Sequence, residues 1–299
     1  MSKGNPATVW AQQIRAPFLI LSVVLVLIPT AVACHLDAVL HIPQILLLAA
    51  GVILTHTAVN LFNELSDYQT GIDSHTTRTP FSGGSGMMQG NRTTPGQVKT
   101  VAYSTLMAGG AVGLYFCWVS GWPVLIFMAI GAAAIRFYTS HLARWLMGEI
   151  VAGLALGSLV VLGGYYALTS SLNLQIVLVS IPPGLLTFQL LFLNEFPDLE
   201  ADREGKRHHL LIHFGRRICA RIYALVMAFT YLAILLIPLL TPAPPSVLLG
   251  LLTLPVALKA SIIAIKHHDD LPRLVPAMGM NVVVVLLTDA LLALGYFIA

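Results

Sequence analysis

Two short acidic patterns recur in the chain, Asn63-Glu64-Leu65-Ser66-Asp67 and Asn194-Glu195-Phe196-Pro197-Asp198. Each closes a long apolar segment and is followed by a further acid, Asp73 after the first and Asp202 after the second. Carboxylates at the end of an apolar helix are costly to desolvate, so two matched clusters imply a shared charged ligand. A hard divalent cation with something anionic bound to it fits these residue types. Mg2+ commonly takes one or two carboxylates, keeps waters and is completed by substrate phosphates. On a helix, Asn60, Asn63 or Glu64, and Asp67 fall at i, i+3 or i+4, and i+7, along one face. Asn194, Asp198 and Asp202 repeat at i, i+4 and i+8 and share a face if the helix continues through Pro197, which is placed to kink it. The plainer reading is that these Asn and Asp residues cap helix ends near lipid headgroups. Their matched repetition argues against it.

Such clusters require elements that hold them at the edge of an apolar medium. Of 299 residues, 57% are hydrophobic and only 10% charged, against about a quarter charged in soluble domains. The mean hydropathy is +0.83. Apolar runs near the ~20 residues needed to cross a bilayer recur throughout. The expected fold is therefore all-α and membrane-embedded, with nine transmembrane helices around a central cavity. The spans run roughly over 17–35, 43–62, 98–118, 121–139, 147–168, 174–193, 217–240, 246–265 and 275–297. With nine spans, all 16 Lys and Arg residues fall on one side, and an eight-span reading breaks this pattern. The positive-inside rule makes that side cytoplasmic, with the N-terminus cytoplasmic and the C-terminus outside. The formal charge of +3 thus has a topological origin and gives no reason to expect a nucleic-acid partner. Residues 1–15 are polar and carry Trp10, which reads as an interfacial stretch rather than a cleaved signal. Cys34, Cys117 and Cys219 have neither disulfide-framework nor metal-ligand spacing. The chain reads as one domain, 1–299, made of two pseudo-repeats of about 1–140 and 141–299. Residues 63–97 and 194–216 form cytoplasmic motif loops.

With the motifs so placed, the chain resembles the UbiA superfamily of intramembrane prenyltransferases over nearly its whole length. Asn63, Glu64, Asp67, Tyr68, Gly71 and Asp73 in NLFNELSDYQTGID are similar to the N-D-x-x-D-Y-x-x-G-x-D pattern of the branch that prenylates dihydroxynaphthoate for menaquinone. DLEADREGKR, from Asp198 to Arg207, is similar to the second motif, D-x-x-x-D followed by Gly-Lys-Arg. Tyr138-Thr139 with Gly148-Glu149 nearby is a further likeness, although the proline usual between them is absent. Three departures stand out. Glu64 replaces an aspartate, the spacing from Asp202 to Gly205 is one residue short, and His208-His209 replace Thr-Leu.

The resemblance implies nine transmembrane helices and a Mg2+-dependent reaction on a polyprenyl diphosphate, with an aromatic acceptor as second substrate. It implies Mg2+ held by Glu64, Asp67, Asp198 and Asp202, with Asp73 in the same ligand set, and Asn60, Asn63 and Asn194 completing a polar shell. Arg78, Lys206 and Arg207, with Arg92 and Arg203 as further candidates, would add charge-assisted hydrogen bonds to the diphosphate. Tyr68 or Tyr138 would face the allylic cation. Asp67, Asp198 and Tyr138 are the residues expected to carry catalysis. The implied location is a bacterial inner membrane, multi-pass, with the active site facing the cytoplasm. The oligomeric state is unreadable.

Two other functions use the same residues. A UbiA-type terpene cyclase ionises a prenyl diphosphate with no acceptor. A transporter of cations or anionic solutes would place its site near the bilayer midplane, whereas eleven of the 13 acids fall on the cytoplasmic side. The loop PFSGGSGMMQGN carries glycines at 83, 84, 86 and 90 and is a candidate lid. It lacks the spacing of a nucleotide-binding fingerprint. Gly109-Gly110, Gly153, Gly157 and Gly163-Gly164 suit close helix packing. His56 reads as a packing residue near the site, His267 to Asp270 as a solvated turn, and Asp289, inside the last span, has no assigned role.

Overall fold

The structure, a computed structural model, describes residues 5–36, 38, 41–72, 78–138, 148–205 and 207–299, with side chains at all of these except 136–138. The described residues form helices and connecting turns, with no strand. In chain order they are α1 (Pro6–Gln13), α2 (Ile20–His35, entered through a 3-10 turn at Ala16–Leu19), α3 (Ile42–Thr70), α4 (Pro95–Ser120) and α5 (Val124–Tyr138). Then come α6 (Gly148–Thr169), α7 (Leu174–Asn194), the short α8 (Leu199–Glu204), α9 (Leu210–Leu240), α10 (Pro245–Lys266) and α11 (Leu271–Phe297). Local chemistry sets many of these boundaries. Thr94 and Gln97 form a reciprocal capping box at the start of α4, with Pro95 in the first turn. Asn173 and Asp270 cap α7 and α11 through their side chains.

Among the described residues eight helices are long and apolar enough to cross a membrane, and α5 carries a shorter apolar stretch, Val124–Ile135. The expected ninth span, 121–139, is thus abbreviated among the described residues. Its start is delayed by Gly121, at φ 105°, and Pro123, and Arg136 ends the apolar run. Side chains such as Ile42, Leu46, Met107, Trp118 and Leu239 point outward and are highly exposed, as a lipid-facing surface requires.

Three apolar clusters build the interior, the smallest, Leu61, Leu65, Met88, Val98 and Ala102, lying between α3, the glycine loop and α4. The largest joins α2, α7, α9, α10 and α11 through residues such as Leu25, Ile28, Phe192, Tyr223, Ala257 and Leu292. A smaller one joins α2, α3, α4 and α5 through Val26, Leu48, Phe116 and Val124. α6 and α7 approach closely where α6 widens into a π-turn at Gly153–Ser158. A Cβ added at Gly157 would stand 2.5 Å from the Pro183 carbonyl oxygen, so only glycine permits this contact. The small-residue expectation holds there, whereas an added Cβ at Gly110 would meet nothing within 4 Å.

Both motif segments differ from the loops drawn at 63–97 and 194–216. The first motif is helical: α3 runs 29 residues, to Thr70, because nothing breaks it before Gly71 adopts a left-handed φ of 77°. The second motif is a break. α7 stops at Asn194, the chain turns through Glu195 to Asp198, and α8 begins at Leu199. Pro197 has no N–H with which to continue the ladder, so Asn194, Asp198 and Asp202 do not sit on one continuous helix. A second break, at Gly215 (φ 75°, ψ 162°), interrupts α9 and sets off its first turn, 210–214.

Candidate functional site

The last turns of α3 and the break after α7 meet at the mouth of a cavity of about 930 Å3. Asn60, Asn63 and Asp67 reach it from α3, Asn194, Glu195 and Asp198 from the break, and Asp202, Arg207, His208 and His209 from α8 and the turn after it. Behind this polar mouth the walls are apolar: Leu48, Val52, Phe116, Val124, Phe127, Met128, Leu159 and Val160 line the inner part, with Gly110 leaving open space.

Arg207 ties the two motifs together. Its guanidinium contacts the Asp67 carboxylate and donates to Asp202 Oδ1 at 3.0 Å. Asp202 is 2% exposed, and its second oxygen meets His209 Nε2 at 3.1 Å. Asp198 carries no such partner. Burial, and then the charge of Asp202, push its carboxyl up to about 7, with Arg207 opposing. Glu195 is likewise raised, first by burial and then by the neighbouring charges of Glu149 and Asp202. Asn194 Oδ1 and Asp198 Oδ1 are both buried without a hydrogen-bond partner among the described residues. Orphaned buried oxygens are rare, and two of them beside the Asp67 and Asp202 carboxylates are the donor set a hard cation accepts. The residues present therefore fit Mg2+.

The expected residues divide. Asn60, Asn63, Asp67, Asn194, Asp198, Asp202 and Arg207 converge on the cavity. Asn60 is held there by its amide, which donates to the Ile14 carbonyl at 3.1 Å. Glu64 does not line the cavity. It is 2% exposed, and its carboxylate accepts from the Ser85 N–H at 2.7 Å, the Ser85 hydroxyl at 2.5 Å and Gln13 Nε2 at 3.3 Å. On α3, Glu64 lies one residue round from Asn63, and that rotation carries it onto the glycine loop instead of the mouth. Arg78 is another correction. It does not reach the cavity, and its Nε donates to the Gly83 carbonyl at 3.2 Å. Tyr68 is 37% exposed and does not line the cavity, so its ring is not presented to a cation there. Arg203 is exposed and paired with Glu200, and Arg92 is exposed. Asp73, Lys206 and the Tyr138 side chain lie outside the described residues.

The glycine loop does form part of the wall. Phe81, Ser82, Gly83 and Gly84 line the cavity, with positive φ at Gly83, Gly84 and Gly86. Sequence reasoning missed Arg15, Glu195, His208 and His209 as lining residues. Glu195 was legible as the second acid of its motif. His209 and Arg15 were not, because their approach to the mouth depends on chain turns. His56 also lines the cavity, and its Nδ1 is 2.8 Å from the Ser22 hydroxyl. The carboxylate of Asp289 is fully buried and has no hydrogen-bond partner among the described residues.

Residues 21–283 match the profile of the UbiA prenyltransferase family. The chain is 28% identical over 206 residues to a 1,4-dihydroxy-2-naphthoate octaprenyltransferase of Bacillus subtilis, a match covering 68% of this chain and 65% of that one. It is 26% identical over 301 residues to a 2-carboxy-1,4-naphthoquinone phytyltransferase of Synechocystis, covering 97% and 94%. Its fold is that of a UbiA homologue from Archaeoglobus fulgidus solved with DMAPP and Mg2+, at a TM-score of 0.59 and 12% identity, covering 95% and 98% of the two chains.

Proposed function

The chain belongs to the UbiA family of membrane prenyltransferases, and from that premise we propose that it transfers a polyprenyl group from its diphosphate to a bicyclic aromatic acceptor in quinone synthesis. The observation that carries this reading is one cavity with a carboxylate and amide mouth and an apolar interior. A polyprenyl diphosphate has the same division, a charged head and a long apolar tail. The two naphthoate-type relatives support the acceptor class.

Asp67, Asp198 and Asp202, with the amide oxygens of Asn63 and Asn194, are the groups that would hold Mg2+. When bound, Mg2+ offsets the charge that develops on a leaving diphosphate. Arg207 keeps Asp67 and Asp202 aimed at the mouth and adds a positive charge beside the diphosphate oxygens. Ser82, Gly83 and Gly84 close one side of the head-group space. The apolar walls behind exclude water from the allylic cation as the C–O bond breaks, its electrons leaving with the diphosphate. The acceptor ring then forms the new C–C bond, and its ring proton passes to the released diphosphate. In the nine-span reading of the sequence all 16 Lys and Arg residues fall on the motif side, which supports a mouth facing the cytoplasm of a bacterial inner membrane.

Purified protein given Mg2+, a polyprenyl diphosphate and 1,4-dihydroxy-2-naphthoate should yield the prenylated acceptor and release diphosphate only when the acceptor is present. Cyclic hydrocarbon or alcohol formed without acceptor would identify a terpene cyclase instead.

A further inference from the structure

Beside the mouth, three side chains that the transfer reaction does not use converge. Glu149 stands at the start of α6, Glu195 follows α7, and His209 precedes α9. One ligand atom from each lies within 4.8 Å of the other two. Glu149 and His209 are 0% and 4% exposed. Among the described residues, Glu149 Oε2, Glu195 Oε2 and His209 Nδ1 are buried and find no hydrogen-bond partner outside the group. His209 Nδ1 and Glu195 Oε2 stand 3.5 Å apart, near the roughly 3.3 Å between two ligands of a tetrahedral ion with bonds of about 2.0–2.1 Å.

The remaining atoms of the cluster are already oriented. Glu149 Oε1 accepts from the Leu210 N–H at 2.9 Å, which leaves Oε2 facing the group. His209 Nε2 meets Asp202 Oδ2 at 3.1 Å. A metal-bound histidine characteristically donates its other N–H to a carboxylate in this way, which fixes the tautomer with the first nitrogen free to bind.

We propose that Glu149, Glu195 and His209 form a second divalent-cation site, adjoining the Asp67, Asp198 and Asp202 mouth through His209 and Asp202, for an ion that accepts nitrogen as well as oxygen, such as Zn2+ or Mn2+. Imidazole suits these ions, whereas Mg2+ prefers oxygen alone. The ion would pin the start of α6, the break after α7 and the start of α9 together, and would brace Asp202 through the imidazole.

The test uses the full chain, purified, stripped of metal and loaded with Mn2+ in the presence of excess Mg2+ and no substrate. One Mn2+ per chain should be retained, and pulsed electron paramagnetic resonance should show coupling to an imidazole nitrogen. Zn2+ should displace it. His209→Gln should abolish the nitrogen coupling and weaken retention by at least about 10- to 100-fold, the loss seen when even outer partners of a metal are removed. Complete displacement of Mn2+ by Mg2+, wild-type Mn2+ without nitrogen coupling, or coupling that survives in His209→Gln would each overturn the proposal. A proton shared between Glu149 and Glu195 would give the first of these results. The wild-type spectrum carries the test if the variant does not fold. Substrate is absent, so a negative result leaves the transfer reading untouched.

Discussion

Ser85→Ala separates two roles for the first-motif glutamate. Both Glu64 oxygens are engaged by Ser85, at 2.7 Å from its N–H and 2.5 Å from its hydroxyl. The same hydroxyl accepts from the Met87 N–H at 3.3 Å. Glu64 thereby anchors a glycine loop whose residues Phe81 to Gly84 wall the cavity. Ser85→Ala removes the hydroxyl bond and keeps the backbone one. A hydrogen bond to a charged group contributes about 1.5–3 kcal/mol. Because the bond is only part-buried, the lower figure applies, and about 1.5 kcal/mol corresponds to roughly tenfold in the loop-opening equilibrium. Hydrogen exchange read on peptides covering 82–90 should therefore quicken about tenfold. KM for the prenyl diphosphate should rise while Mg2+ affinity stays at the wild-type value. Glu64→Asp, which installs the acid usual in the resembling motif, should quicken exchange further, since the shorter side chain withdraws from both contacts. Unchanged exchange in Ser85→Ala, together with a large loss of Mg2+ affinity in Glu64→Gln, would refute the tether and return Glu64 to the metal.

Other consequences concern the mouth, the interior and the packing. Asp198 has its carboxyl raised to about 7, so in the metal-free protein a proton is held more tightly than in an exposed carboxyl and competes with Mg2+. Mg2+ affinity should fall as pH drops through about 7 and level off above it; titration calorimetry giving a flat profile between about pH 5.5 and 8 would contradict this. Gly110→Phe places a ring in open space on the cavity wall and replaces a helical glycine, a change that is favourable to the helix by up to about 1 kcal/mol. It should leave the melting temperature near wild type and shift preference to shorter prenyl diphosphates, seen in the product distribution. Gly157→Leu forces a side chain against the Pro183 carbonyl and should cost at least about 1–3 kcal/mol, visible as a lower melting temperature in detergent.

The membrane fold was legible because lipid allows little choice: an apolar run near bilayer length must be a helix. The span at 121–139 was harder, because Gly121, Pro123 and Arg136 shorten its apolar stretch in a way that hydropathy averaging conceals. In the motifs, Asn63, Asp67, Asn194, Asp198 and Asp202, singled out by residue type, all line the one cavity. The shared face of Asn194, Asp198 and Asp202 depended on the helix continuing through Pro197; the chain breaks there, as a proline allows, yet still delivers Asp198 and Asp202 to the same space. The bond from Glu64 to Ser85 was not legible, because an acid in a metal-binding pattern looks like a ligand and Ser85 is 21 residues away. The Glu149, Glu195 and His209 group joins three separate elements, and no local spacing announces it.

In the proposed reaction Asp67, Asp198 and Asp202 together hold the diphosphate head through Mg2+. Binding of a non-reactive prenyl thiolodiphosphate, measured with and without Mg2+ on wild type and Asp198→Asn, tests it most directly. Binding should require Mg2+ and should weaken about 100-fold or more in the variant, as expected when a charged metal ligand is lost, given that outer partners alone are worth about 10- to 100-fold. Mg2+-independent binding, or equal affinity in Asp198→Asn, would contradict the account.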